Sequence, residues 1–335
     1  MKLLAAVGLL SMLIGAAHAD EFLHPMAYYE RKFYDWMLVH KVEFASGEQF
    51  ASALRNFAIA DDLISAHNED STKTYKLAHN EFSHLTWDEF KEQRGIGVPL
   101  LKSNSPKNYM KEALRGVRLA ESIDWTEKGG VTNVKDQGAC GSCWAFSATG
   151  ALEGAYFVST GDLQSFSEQE LVDCDQVDLG CNGGLMDNAF DFIKTNHGLC
   201  TEAAYPYSAQ DSSCNKWSCD SVKGSSVKSW VDVEPTESAL MQAVNRQPVA
   251  IAIEADQFSF QFYSSGVFTG SCGTNLDHGV LLVGYGSEDG QDYWKVKNSW
   301  GESWGQNGFI LLGKNVEQEG GQCGLLLQSS YPVLE

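Results

Sequence analysis

The chain has 335 residues, with 24 basic and 44 acidic side chains and a formal net charge of −20. Nearly all of the acidic excess lies in 119–335, which argues against nucleic acids and anionic membranes as partners. The nine cysteines also fall in that stretch; an odd number in an oxidising compartment reads as disulfides plus one thiol.

In chain order, Met1-Lys2, an apolar run over 3–14 and Ala17-His18-Ala19 read as a secretory signal peptide cut after Ala19. The run is too short to span a bilayer, which needs about 20 apolar residues. A protein of the secretory route is expected, bound for lysosome, vacuole or the extracellular space. Residues 20–98 read as helical. A first helix over 28–44 carries Tyr29, Phe33, Trp36, Met37 and His40. A second over 48–68 has Phe50, Leu54, Phe57, Leu63 and Ile64 as its apolar side, and 75–77 reads as a short strand. Residues 95–118 hold Gly95, Gly97, Pro99 and Pro106, then Lys107, Lys111, Arg115 and Arg118, and read as a linker.

Residues 119–335 are long enough for one large domain or two lobes. Helices are expected over 143–159, from a capping box at Ser167, and over 185–195; strands over 249–254, 279–286, 293–297 and 308–312. A helical half followed by a β half implies α+β, with a helical lobe over about 119–229 and a β lobe over about 230–335. Acidic residues are assigned to a solvated face.

Gln137 to Ser147 read as a glycine-punctuated loop running into a helix with Ser142 as N-cap. Trp144, Ala148, Leu152 and Ala155 form one face, and Gly150 and Gly154 imply close packing against a neighbour. Cys143 stands at the helix N-terminus, where the macrodipole favours a thiolate. The runs flanking Asp289-Gly290 read as a hairpin, which brings His278 near Asn298. A cysteine nucleophile needs a base and a group to orient that base. His278 supplies the first and Asn298 the second, with Trp300 and Trp304 shielding their hydrogen bond. The Gln137 amide and the Cys143 N–H can form an oxyanion hole.

Cys140-Gly141-Ser142-Cys143-Trp144 resembles the papain/cathepsin signature. Asp124-Trp125, Cys181-Asn182-Gly183-Gly184, Tyr205-Pro206-Tyr207, Asp277-His278-Gly279, Asn298-Ser299-Trp300-Gly301 and Tyr331-Pro332-Val333 look like further landmarks of that family. The likeness is greatest to cathepsin L-like endopeptidases. It implies a papain-like two-lobed fold, helical lobe plus β-barrel-like lobe, preceded over 20–118 by an inhibitory propeptide. It also implies a Cys143 thiolate paired with a His278 imidazolium, acting on protein and peptide substrates in a monomer without cofactor or metal. It implies substrate contacts from Gly184, Leu185, Met186, Ala252, Leu276, Asp277, Trp300 and Gln328, with an S2 pocket that takes a large apolar side chain. The disulfides implied are Cys140–Cys181, Cys174–Cys214 and Cys272–Cys323, with Cys200 and Cys219 left over as a fourth pair. The propeptide pattern keeps Phe57, Ile64, Asn68, Asn80 and Phe82, but has Gln49, Ala53, Ala60, Ala78 and His84 at other positions of the pattern. Leu114-Arg115 and Val117-Arg118 are the expected maturation sites. Two other functions remain open: a thiol–disulfide exchanger using Cys140 and Cys143, and a catalytically dead papain-fold binding protein.

Overall fold

The computed structural model describes residues 22–97, 100, 107–109, 119–215 and 217–335. The signal peptide, Pro99, Pro106, Lys111 and the maturation sites lie outside them.

The N-terminal third is a helical hairpin with its own small core. Helix α1, Met26–His40, buries Tyr29, Phe33 and Trp36, a spacing that keeps three aromatics on one face. Helix α2, Gly47–Glu69, is capped by the Ser46 hydroxyl on the Gln49 N–H and answers with Leu54 and Phe57. Leu63, expected on that face, is exposed. At about 100° per residue it falls off the stripe of 54, 57 and 64. Asp61 lies on that stripe instead, buried against Lys32 and His79. The Asn68 side chain clamps strand β1, Tyr75–Leu77, by bonding both backbone groups of Leu77. Helix α3, Trp87–Arg94, starts from a full capping box of Thr86 and Glu89 and stops at Gly95, whose φ of 61° suits glycine.

Helix α4, Cys143–Thr160, runs through the middle of the remaining chain, and every residue from Cys143 to Ala155 is buried. It therefore shows no polar stripe. A Cβ on Gly150 would lie 2.8 Å from the Leu281 side chain, and one on Gly154 would run into Pro248. The two glycines let strand and loop reach the helix axis. Helix α5, Glu168–Cys174, begins at Ser167, which caps the Glu170 N–H. Glu170 does not close the expected box; it accepts from Cys200 N and Asn196 instead. Helix α6 is Met186–Thr195 and α7 Glu237–Val244; a short α8, Phe258–Phe262, precedes β5.

Strands β2 (Ile123–Asp124), β3 (Val227–Asp232), β4 (Val249–Ile253), β5 (Tyr263–Phe268), β6 (His278–Glu288), β7 (Gln291–Lys297), β8 (Phe309–Gly313) and β9 (Ser329–Leu334) join β1 in one sheet. The order is β1-β5-β8-β7-β6-β4-β9-β3, with β2 also on β6. The sheet is open, with β1 at one end and β3 at the other, so the expected barrel-like lobe is not a closed barrel. Strand β3 also crosses the expected boundary between 229 and 230. Asp289 and Gly290 close the β6–β7 hairpin, both with positive φ.

Two expectations fail for physical reasons. The linker is partly docked: the Asp232 N–H donates to Asn108 O, the Asn108 N–H donates to the Asp232 carboxylate, and Lys107 Nζ lies 2.8 Å from that carboxylate. The acidic residues are not all on a solvated face. Glu153 and Glu168 are buried beneath the ammonium of Lys135, which contacts both. The four disulfides are Cys140–Cys181, Cys174–Cys214, Cys200–Cys219 and Cys272–Cys323, and Cys143 is the free cysteine.

Candidate active site

Cys143 is the first residue of α4. Its loop is held at both ends: the Gly141 N–H donates to Cys181 O, and the Gln137 N–H to Ser299 O. Ser142 occupies the N-cap position, but its hydroxyl makes no cap. It meets the Tyr207 hydroxyl at 2.6 Å, and that hydroxyl donates on to Gln137 O. The helix N–H groups beside Cys143 are thus left to the thiol.

His278 opens β6, and Gly279 follows it against the start of α4. A Cβ on Gly279 would be 3.2 Å from Cys143 O and from Trp144 Cα, so glycine permits the close approach of strand to helix. His278 Nε2 lies 2.8 Å from Asn298 Oδ1, which also accepts the Ser299 N–H. An amide oxygen only accepts, so Nε2 carries the proton and the neutral ring's free lone pair is on Nδ1. Nδ1 has no hydrogen-bond partner among the described residues. Trp300 stacks on the imidazole at 4.9 Å, with Trp304 edge-on behind it.

The Gln137 amide is pinned by the Ser299 hydroxyl on Oε1 at 2.6 Å. Its Nε2 donates to Cys140 O and to Arg94 O, both at 3.0 Å. Arg94 belongs to α3, so a carbonyl of the N-terminal region takes the donor expected for an oxyanion. Gly95 then lies on the cysteine loop: a Cβ there would be 2.6 Å from Gly141 Cα. Gly97 N donates to the Asp277 carboxylate and Leu100 N to Leu276 O. The segment crosses the site from the Gln137 end to the Leu276 end.

That cover sets the charges. Burial pushes the Cys143 thiol up to about 11, against backbone N–H bonds from Gly279 and Trp144. Burial drives His278 down to about 4, partly opposed by Asn298 and helped by the Arg94 guanidinium. In this covered form desolvation therefore works against the thiolate–imidazolium pair expected of the working enzyme, opposing the helix dipole. Burial also holds Asp277 up at about 7.

Of the residues expected to contact substrate, Gly184, Leu185, Met186 and Ala252 are buried, and Leu276 and Gln328 half-buried. Ala252 N bonds Gln328 O, and Ser330 bonds Asp187, which ties the start of β9 to the start of α6. A Cβ on Gly184 would strike the Trp144 ring. Sequence reasoning missed the positioning by Tyr207 and Ser299, and the placing of Arg94 to Gly97 and of Leu100 in the cleft. For the segment a signal existed: Gly95 and Gly97 flank one apolar residue, a pattern for close backbone approach as well as for a linker.

A thiol, an imidazole and an amide brought together between a buried helix and a sheet define a cysteine-peptidase type of site. The family description "Papain family cysteine protease" matches residues 119–333, and "Cathepsin propeptide inhibitor domain (I29)" matches 33–90. The chain belongs to the papain family. It is 46% identical over 309 residues to "Probable cysteine protease RD21B" of Arabidopsis thaliana, covering 91% of this chain and 66% of that protein. It is 45% identical over 318 residues to "Cysteine proteinase EP-B 1" of Hordeum vulgare, covering 91% and 83%. The chain thus spans just under two thirds of the length of RD21B. The proform of the ragweed pollen cysteine protease Amb a 11 superposes with a TM-score of 0.82 at 37% identity, covering 92% of this chain and 95% of that one. Digestive procathepsin L 3 of Tenebrio molitor gives 0.80 at 36%, covering 91% and 99%.

Proposed function

We propose that this chain is a cysteine endopeptidase made as a zymogen, with its own N-terminal region as intramolecular inhibitor. The observation that carries this is the Arg94 carbonyl on Gln137 Nε2, above a buried Cys143 and His278. Once the segment leaves, His278 Nδ1 takes the Cys143 proton and the thiolate attacks a peptide carbonyl carbon. The resulting oxyanion is held by Gln137 and the Cys143 N–H. The imidazolium returns its proton to the leaving amine, the C–N bond breaks, and a thioester remains. Water, deprotonated by His278, then releases the acid. Asn298 orients the ring.

The apolar walls of Leu185, Met186, Ala252 and Leu276 favour a large apolar P2 side chain, whose burial is worth about 1.5–3 kcal/mol. Gln328 is neutral, so P2 Arg would lose its hydration without a counter-charge. A substrate with P2 in that pocket runs from the Leu276 end to the Gln137 end, opposite to the blocking segment. The Cys174–Cys181 interval is too short for a loop closing one end of the cleft, which favours endopeptidase action. The N-terminal leader points to the secretory route. Among the described residues no helix is long and apolar enough to cross a membrane.

The test is acid activation of the purified full chain with a reductant, followed by assay on Leu-Arg and Arg-Arg reporters. Wild type should hydrolyse Leu-Arg well above Arg-Arg, and Cys143→Ala should show no turnover. Activity in Cys143→Ala would end the assignment; parity of the two reporters would end the P2 reading alone.

A further inference from the structure

Arg94 is the most deeply buried arginine contact of the cleft, only 3% exposed. Its Nη1 donates to Asp136 Oδ1 at 2.6 Å. Nη2 lies 3.7 Å from Glu81, and the guanidinium sits 4.2 Å from the centre of the Phe82 ring. Glu81 and Phe82 belong to the inhibitory region and leave with it. Asp136 belongs to the enzyme and stays, next in sequence to Gln137.

Asp136 is fixed in place. Its Oδ1 also accepts the Gly138 N–H, and its backbone bridges Trp300. The Trp300 indole N–H beside it is buried and has no partner among the described residues; Phe90 covers that ring edge-on at 5.2 Å. Removing the segment therefore frees the Asp136 carboxylate, next to Gln137, of its arginine partner and takes Phe90 off the Trp300 ring.

We propose that Asp136 is a specificity determinant on the leaving-group side, taking an Arg or Lys side chain one or two residues after the cleaved bond. This rests on the substrate direction given above. The blocking segment already fills the position with an arginine, as a substrate would from the other direction. Guanidinium and carboxylate match as a hydrogen-bonded ion pair. The acidic excess of 119–335, which stays with the enzyme, further draws basic peptides in. With Asp136 half-exposed, the gain is that of a surface pair, about fivefold in kcat/KM at low salt.

The experiment uses acid-activated enzyme and internally quenched peptides with Leu at P2. Peptides are identical except for Arg or the isosteric, uncharged citrulline at the first or second residue after the cleaved bond. Arg should exceed citrulline about fivefold at one of these positions, and the ratio should shrink towards one in molar salt. Asp136→Asn should bring it to one, and Asp136→Lys should favour Glu over Gln there. A wild-type ratio of one at both positions, or a ratio insensitive to salt or to Asp136→Asn, overturns the proposal. Where Asp136→Asn fails to mature, the salt arm on wild type decides. Cleavage of neither peptide would remove the peptidase reading as well; cleavage without discrimination removes this inference alone.

Discussion

Cys143 and His278 are shifted in opposite directions by one cause. In the covered form burial pushes the thiol up to about 11 and the imidazole down to about 4, which disfavours charge on both. A neutral thiol is a poor nucleophile. Iodoacetamide should therefore label Cys143 in the intact full chain slowly, with a rate that still climbs about tenfold per pH unit from pH 6 to pH 8 as the small thiolate fraction grows. After acid activation, labelling should become fast and nearly flat across that range, because the uncovered pair can share a proton as thiolate and imidazolium. Rapid labelling of the intact chain at pH 6 would mean that the segment does not desolvate the thiol. At this scale the sequence was informative: Cys143, His278, Asn298 and Gln137 stand out because each chemical role demands one residue type. Tyr207, Ser299 and Asp136 did not stand out, because a hydroxyl or carboxylate acquires its purpose only from what folding puts beside it.

Among elements, β1 and the turn after it carry the pH response of the inhibitory region. Burial lowers His79 and His84 below the ordinary histidine value, with hydrogen bonds to Asp61 and to Glu81 O opposing it. Burial pushes Asp61 up, but the bonds from His79 and Lys32 more than reverse this and leave it low. For both residue types the folded form binds fewer protons than the unfolded one. The stability they contribute is thus full above the ordinary histidine pKa of about 6.5. The histidine part is lost as pH falls below that value, and the Asp61 part only below about 3.8. Hydrogen exchange over 75–97 in Cys143→Ala full chain should accelerate on going from pH 7 to pH 4. His79→Gln should move the onset to lower pH; an unchanged onset would take His79 out of the response. The helices α1, α2, α4 and α6 were legible because their apolar spacing repeats. The docking of 107–109 was not, since three polar residues pairing with β3 leave no periodic trace. Leu63 misled because hydrophobicity alone does not say on which side of a helix a residue falls.

Across the whole molecule, the two lobes meet over charged groups rather than over apolar side chains alone. Lys135 bonds Glu153 on α4 and Glu168 on α5, while Lys297 on β7 reaches Thr132, itself bonded to Glu153. Burial lowers the Lys297 pKa, and the glutamates hold the Lys135 pKa up despite burial. The sequence placed these acids on a surface because charge normally belongs there; only the folded arrangement supplies the counter-charges. Lys135→Met leaves two buried carboxylates without their shared cation. It should destabilise the chain by about 3–5 kcal/mol, measured as a lower urea midpoint at pH 7. An unchanged midpoint would mean that the cluster is neutral on balance.

The two ends of the nine-stranded sheet, β1 on β5 and Asn108–Tyr109 on β3, are both supplied by the inhibitory region. Activation therefore does more than clear a cleft. It strips the outermost backbone pairing from opposite sides of the sheet, taking Thr74 O from the Val267 N–H on one flank and Asn108 O from the Asp232 N–H on the other. Such flanks are templates for pairing with a foreign strand. The N-terminal region is thus also a solubility device, and an enzyme that has shed it should self-associate more readily than its precursor at equal concentration.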